Sequence, residues 1–277
     1  MRPDRPSSSA EAVALARAHL HRAGVIDDPY ARRFLGRRRR VLERALRVPP
    51  LSAYGRSATF AFLAARTCWF DEVVRTEIDA GIDQVVIVGA GHDARAWRLD
   101  RPGVRWFEVD HPATQRVKRA RAPDGGPTYV GIDLNEEPVD ARLLDAGFDP
   151  HRPSVFVLEG LTMYLTPATC ERLFAQLAAV AARGSALAVQ FSAAGGGSVS
   201  PVSRAVATVI RTAWRWSGER THRWAEEGLT EEMLAGAGWG VEETVRGDAL
   251  ARRHLAGTAL DLAGVNDRVY CRLARRP

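Results

Sequence analysis

Between Val85 and Leu99 the chain reads VVIVGAGHDARAWRL, and Asp110 closes the segment VRWFEVD a little further on. An apolar run, a Gly89-Ala90-Gly91 turn and a carboxylate about 20 residues later suit the first turn of a parallel sheet that holds a nucleotide. Glycines there let the backbone approach a ligand, and the following helix offers its N-terminal N–H groups to an anion. Asp110, at the end of a strand, can accept both hydroxyls of a ribose. A second strand-end pair, Asp133-Leu134 in VGIDL, supplies an acceptor for an adenine amino group and an apolar face for its ring. Both aspartates also have a purely structural use as helix caps, before His111-Pro112 and Leu134-Asn135.

Two cofactors use such a turn. Gly89 to Ala94 fits the dinucleotide pattern with alanine in the last place, which keeps NAD open. S-adenosylmethionine needs the same close backbone approach and a ribose-binding carboxylate, and the Asp133-Leu134 pair favours it. No tyrosine is followed four residues later by lysine, so the catalytic pair of short-chain dehydrogenases is missing.

The elements that must position these residues can be read from periodicity. Helices are expected over Ala10 to Ala23, Asp28 to Arg47 and about Ser57 to Asp79, separated by turn signals at Asp27-Asp28-Pro29 and Pro49-Pro50. In the second, Phe34, Leu35, Val41, Leu42 and Leu46 are expected to form the inner stripe. Short apolar strands then alternate with helical stretches: Val85 to Val88, Val104 to Val109, Thr128 to Ile132, Val155 to Leu158 and Leu187 to Phe191. Such alternation implies a doubly wound parallel α/β sheet. Val241 to Val245 and Arg268 to Leu273, with Ala249 to Leu262 between them, add an antiparallel pair and bring the expected count to seven strands. Residues 1–80 read as an N-terminal helical cap and 81–277 as a Rossmann-like nucleotide-binding domain, the two making one structural unit. An insertion at about 195–230, between strands five and six, carries Gly195-Gly196-Gly197 and then Trp214, Trp216 and Trp224. It is placed to cover a substrate crevice or, equally, to pack as a surface helix.

Composition narrows the class. A chain of 277 residues with 46% hydrophobic content can bury one large core. No apolar run approaches the roughly 20 residues that cross a bilayer, and the start MRPDRPSSSA has no apolar signal core, so a cytoplasmic protein is expected. Cys68, Cys170 and Cys271 show no paired spacing, which points to free buried thiols and to no metal cluster. The charge of +6 and the run Arg37 to Arg40 invite a nucleic-acid partner. Lys118, however, is the sole lysine, so arginine has replaced lysine throughout and the run reads as a solvated helix face.

Three segments carry a resemblance: Gly89 to Leu99, then Phe107-Glu108-Val109-Asp110-His111-Pro112 with Lys118, then Glu159-Gly160-Leu161-Thr162-Met163-Tyr164-Leu165. Together with AEAVALARAHLHRAGVIDDPYARRFL and the AARTCWFDE segment around Arg66, they resemble the leucine carboxyl methyltransferase family. The likeness is to its bacterial branch of S-adenosylmethionine-dependent methyltransferases and polyketide O-methyltransferases, and it runs from about Ala10 to Leu165. It implies the class I methyltransferase fold. It also implies that Arg66 pairs with the methionine carboxylate, that Gly89, Ala90 and Gly91 lie against the cofactor, and that Asp110 with His111 holds the ribose. Asp133 and Leu134 would bracket adenine, and Glu159 would receive the methionine ammonium. An arginine can grip a carboxylate through two parallel hydrogen bonds, and a glutamate at the fourth strand's end points into the crevice.

On the acceptor side, His92 stands where the family usually has leucine, and it and Tyr164, Trp214 and Trp216 are the side chains expected to touch substrate. Tyr164 has an equal claim to a place in the core. The expected activity is O-methylation of a carboxylate on a small polyketide-type or aromatic metabolite. A carboxylate with a pKa near 4 needs no general base, and none is assigned. The alternatives are a phenolic hydroxyl acceptor, a protein C-terminal carboxylate, and a chain that binds an adenosyl nucleotide without turning it over.

Overall fold

Short β-branched runs build the centre of the protein in a computed structural model that describes residues 7–49, 51–192, 227–265 and 267–277. Strands β1 (Gln84–Val88), β2 (Arg105–Asp110), β3 (Thr128–Gly131), β4 (Val155–Leu158) and β5 (Ala186–Ser192) pair in parallel. Strand β7 (Val269–Arg275) inserts antiparallel between β5 and β6 (Gly240–Arg246), giving the order β3-β2-β1-β4-β5-β7-β6. This is the expected seven-stranded doubly wound sheet with its closing antiparallel pair. All five residues of β1 are buried, as a strand covered on both faces requires.

The pleat divides the core. Val85 and Ile87 of β1 and Val155 and Val157 of β4 face one apolar cluster, completed by helices α1 (Ser8–Arg22), α4 (Ala58–Asp79) and α10 (Gly247–Leu255) through Leu20, Phe60, Phe70 and Leu250. Val86, Val88, Phe156 and Leu158 face the other, where α8 (Pro167–Val180) supplies Phe174 and Leu177. The remaining helices among the described residues are α2 (Arg37–Ala45), α3 (Leu51–Gly55), α5 (Arg95–Arg98), α6 (Pro112–Arg119), α7 (Val139–Asp145) and α9 (Glu227–Gly236).

The helix expected over Asp28 to Arg47 does not form as one piece. Asp28 Oδ1 accepts from the Ala31 N–H at 3.0 Å and starts a short 3-10 turn, Ala31–Phe34, and the chain is extended at Leu35 and Gly36 before α2 begins. The break turns α2 so that Val41 and Leu42 are exposed, while Phe34, Leu35 and Leu46 are buried as expected. Glu43 takes the inner place instead, fully buried between Arg22 Nε at 3.3 Å and Arg32 Nε at 3.5 Å. Arg37, Arg38 and Arg40 lie on the exposed side. The five-residue α3, after Pro49, was not expected. Trp214, Trp216 and Trp224, with most of the insertion, lie outside the described residues.

Cys170 and Cys271 are buried as expected, whereas Cys68 is only half-buried. Burial pushes the Cys68 thiol up to about 11 and that of Cys170 up to about 12, so neither is a nucleophile at neutral pH.

Candidate functional site

Strand order reverses between β1 and β4, and in an open α/β sheet that switch point opens a crevice beyond the carboxyl ends of the strands. The glycine turn leaves β1 at this place. Gly89 (φ +68°) and Gly91 (φ +50°) both have left-handed backbone, which glycine adopts without steric cost. A Cβ on Gly89 would stand 2.7 Å from Leu161 Cδ1, and one on Gly91 would stand 3.0 Å from the Cβ of Ala10 in α1. The turn is therefore pressed between the segment after β4 and the first helix.

Backbone bonds tie it to β2. The N–H groups of Gly89 and Ala90 donate to Val109 O at 2.8 and 3.2 Å. Asp110 then spans the turn: its Oδ2 accepts from the Gly91 N–H and its Oδ1 from its neighbour, the His111 N–H, at 2.6 Å. Burial raises the Asp110 carboxyl above its ordinary value, and these two donors act against that rise. A carboxylate oxygen has two acceptor sites, so each oxygen retains room for one further donor such as a sugar hydroxyl. His111 caps α6, its Nδ1 accepting from the Ala113 N–H at 3.2 Å. At the end of β3, Asp133 Oδ1 accepts from the Asn135 N–H and side-chain amide, both at 3.0 Å. Burial alone would raise Asp133, but these bonds outweigh it and hold the carboxyl below its usual range. Leu134 is half-buried against the apolar cluster beneath it.

Across the crevice, Glu159 follows β4 and is the centre of a buried ionic network. Its Oε1 accepts from Arg66 Nε at 2.8 Å, and its Oε2 from Arg17 Nη2 at 3.0 Å and lies 2.6 Å from Arg95 Nη1. Arg95 also binds Asp93 and, at 2.7 Å, Asp71, while Arg98 binds Asp71 at 2.7 Å and approaches Asp28 at 3.8 Å. Burial would raise Glu159, yet Arg95, Arg17 and Arg66 hold it well below the usual carboxylate range. Arg66 donates from Nη1 to Gln190 Oε1 at 3.0 Å, and Gln190 O accepts from the Thr162 hydroxyl at 2.7 Å, which ties α4 and β5 to the turn after β4. Arg66 and Glu159, assigned separately from sequence, thus bind each other, and Arg66 is buried and not one more surface arginine.

Sequence reasoning missed Arg17, Asp71 and Gln190. Asp93 and Arg95 stood inside the quoted motif without a role. For Arg17 no local signal exists, because its partner lies 142 residues away.

The acceptor-side residues fare differently. His92 is 5% exposed and stacks on Phe34, with ring centroids 5.4 Å apart and 5° between planes. Burial, with the cations Lys118, Arg121 and Arg17, lowers its pKa to about 3, so the ring is neutral. It packs into the helical layer through Phe34. Tyr164 ends a 3-10 turn, Thr162–Tyr164, and is half-buried. Lys118 is fully buried, paired with Glu108 at 2.6 Å, and lies 5.8 Å from the Phe34 ring centroid and 5.6 Å from that of Trp97.

A family model described as leucine carboxyl methyltransferase matches residues 10–178, well over half of the chain. The chain belongs to the leucine carboxyl methyltransferase family. Among relatives of this family member, one from Mycolicibacterium gilvum is 33% identical over 97% of this chain and 95% of its own length. Another, from Saccharopolyspora erythraea, is 31% identical over 94% and 93%. Both are named as S-adenosyl-L-methionine-dependent methyltransferases. A solved structure of a DUF574 family protein from Streptomyces avermitilis shares the fold, with a TM-score of 0.60 at 19% identity over 99% of both chains.

Proposed function

We propose that this family member transfers a methyl group to a carboxylate oxygen of a small, polyketide-type or aromatic metabolite. Dependence on S-adenosyl-L-methionine comes with the family; the acceptor is the new part of the reading. When bound, the cofactor supplies a sulfonium methyl group for in-line displacement: the acceptor oxygen bonds to the methyl carbon as the carbon–sulfur bond breaks and its electron pair stays on sulfur.

The residues present suit that group. The turn through Gly89 and Gly91 is packed against Leu161 and Ala10, and beside it Asp110 keeps an acceptor site on each oxygen for the ribose hydroxyls. Asp133 and Leu134 offer a carboxylate beside an apolar face. Glu159 Oε1, bonded once to Arg66, has room for one N–H of an ammonium, and Arg66 has Nη2 left for a carboxylate.

The observation that carries the choice of acceptor is the ion pairing of the crevice carboxylates. Glu159 is ion-paired with Arg66, Arg17 and Arg95 and Asp93 with Arg95 and Arg17, which holds both carboxyls below their usual range, and His92 is buried against Phe34, so none of these three is read as a general base. A carboxylic acid acceptor, ionised above about pH 4, needs no such group, whereas a phenol near pKa 10 usually does. The chain's task is then to position the reactants, which in favourable cases contributes about 7–11 kcal/mol.

Calorimetric titration with S-adenosylhomocysteine and, separately, NADH tests the cofactor half. Saturable binding of the first alone is expected, weakened about ten- to a hundredfold in Asp110→Ala, the worth of a charge-assisted hydrogen bond. Unchanged affinity in that variant would overturn the assignment of Asp110. For the acceptor half, single-turnover methyl transfer to an aromatic carboxylic acid is expected to be flat between pH 6 and 9 and to yield a base-labile ester. A rate rising about tenfold per pH unit, with a base-stable product, would identify a phenol acceptor instead.

A further inference from the structure

Helix α1 has two working faces. Residues two apart on a helix point about 200° apart, so Arg17, which reaches Glu159, and His19 lie on opposite sides. On the His19 side, between the ends of α1 and α2, helix α3 and the loop after α10, is a half-open cavity of about 540 Å³. Small-molecule sites typically measure about 300–1,000 Å³. Leu20, Leu46 and Leu260 give it apolar walls, and His19, held by Phe60 at 5.3 Å between ring centroids, closes one side.

Its charge is one-sided. Arg22, Arg47 and Arg56 line the cavity and no carboxylate does. Arg22 is matched by Glu43, but neither Arg47 nor Arg56 has an ion pair or a side-chain hydrogen bond among the described residues. Most guanidiniums around Glu159 are, by contrast, paired two or three times over. Two uncommitted guanidiniums beside an apolar wall are complementary to a small molecule with a carboxylate at one end and a hydrocarbon body.

We propose that this cavity is a second ligand site, separated from the methyl-donor crevice by α1, that binds a small organic carboxylate through Arg47 and Arg56. None of the residues assigned to the cofactor lines it. The ligand is an effector that does not react there, because in-line transfer needs the acceptor oxygen against the methyl carbon and α1 stands between the two spaces.

The probe is 2-naphthoate, titrated calorimetrically at low ionic strength into the full chain saturated with S-adenosylhomocysteine, which fills the methyl-donor part of the crevice. Saturable binding is expected, weakened about tenfold or more in Arg47→Gln/Arg56→Gln and for the uncharged 2-naphthalenemethanol. Both arginines are exposed, so the double variant is expected to keep the thermal midpoint and S-adenosylhomocysteine affinity of the parent. No saturation up to about 5 mM, or equal affinity in the variant, would overturn the site. With labelled S-adenosylmethionine, any ester formed from 2-naphthoate is expected to be unchanged in the double variant, and ester formation that the variant loses would overturn the separation of the two sites. Failure of the methyl-transfer reading leaves this binding result unaffected.

Discussion

Glu159 is the residue on which the site's charge balance turns. Three guanidiniums converge on one carboxylate in a place with almost no solvent, where an ion that loses its partner keeps its full desolvation cost. Glu159→Gln preserves shape and removes charge, leaving Arg17, Arg66 and Arg95 against a neutral amide. The expected loss is about 3–5 kcal/mol of unfolding free energy by guanidinium denaturation at pH 7, and a loss under about 1 kcal/mol would contradict the network. The sign with pH follows from the depressed carboxyl: its stabilisation is complete above the unfolded pKa near 4.3 and fades as pH falls through the folded value. The gap between parent and variant therefore narrows in acid.

The glycine turn is the element that sets the crevice wall. It needs left-handed backbone at Gly89 and has Leu161 against its α-carbon, so two separate costs meet at one position. Gly89→Ala is expected to cost about 1–3 kcal/mol from backbone strain alone, with the contact adding to it. Leu161→Ala removes the contact and not the strain. In a double-mutant cycle the paired variant should be less destabilised than the sum of the singles by about 0.5–3 kcal/mol, and strict additivity would show that turn and Leu161 do not touch.

At the scale of the whole molecule, the N-terminal helices and the sheet share one apolar cluster, and His92 joins them by stacking on Phe34. Its Nδ1 is buried with no hydrogen-bond partner among the described residues, which suits a neutral ring. A histidine lowered to about 3 in the folded chain binds fewer protons than its unfolded counterpart below pH 6.5, so stability falls as pH falls through that window. Between pH 7 and 5 the contribution lost is about 2 kcal/mol. His92→Phe keeps the stack and has nothing to protonate. Denaturation of parent and variant at both values should show the variant losing about 2 kcal/mol less, and equal losses would place a proton on His92 in the folded state.

Much of this protein was legible because the signals are local. Alternation and β-branching mark strands within a few residues of themselves, and a turn with positive φ leaves glycines at fixed offsets, so the sheet, the Gly89–Gly91 turn and the strand-end Asp110 and Asp133 could be named from the chain alone. The Rossmann-like order and the resemblance through Glu159 came from the same short segments. What only the tertiary structure decided is which charges are buried and which way a helix faces. Glu43 and Arg17 look like surface residues until Arg22 with Arg32, and Glu159 with Asp93, are brought to them. Asp28 could have continued a helix, but its carboxylate starts a tight 3-10 turn and rotates α2 away from the expected stripe. The reason is physical: a buried ion is stable only beside its counter-ion, and in this chain those partners lie far apart in sequence, out of reach of any periodicity.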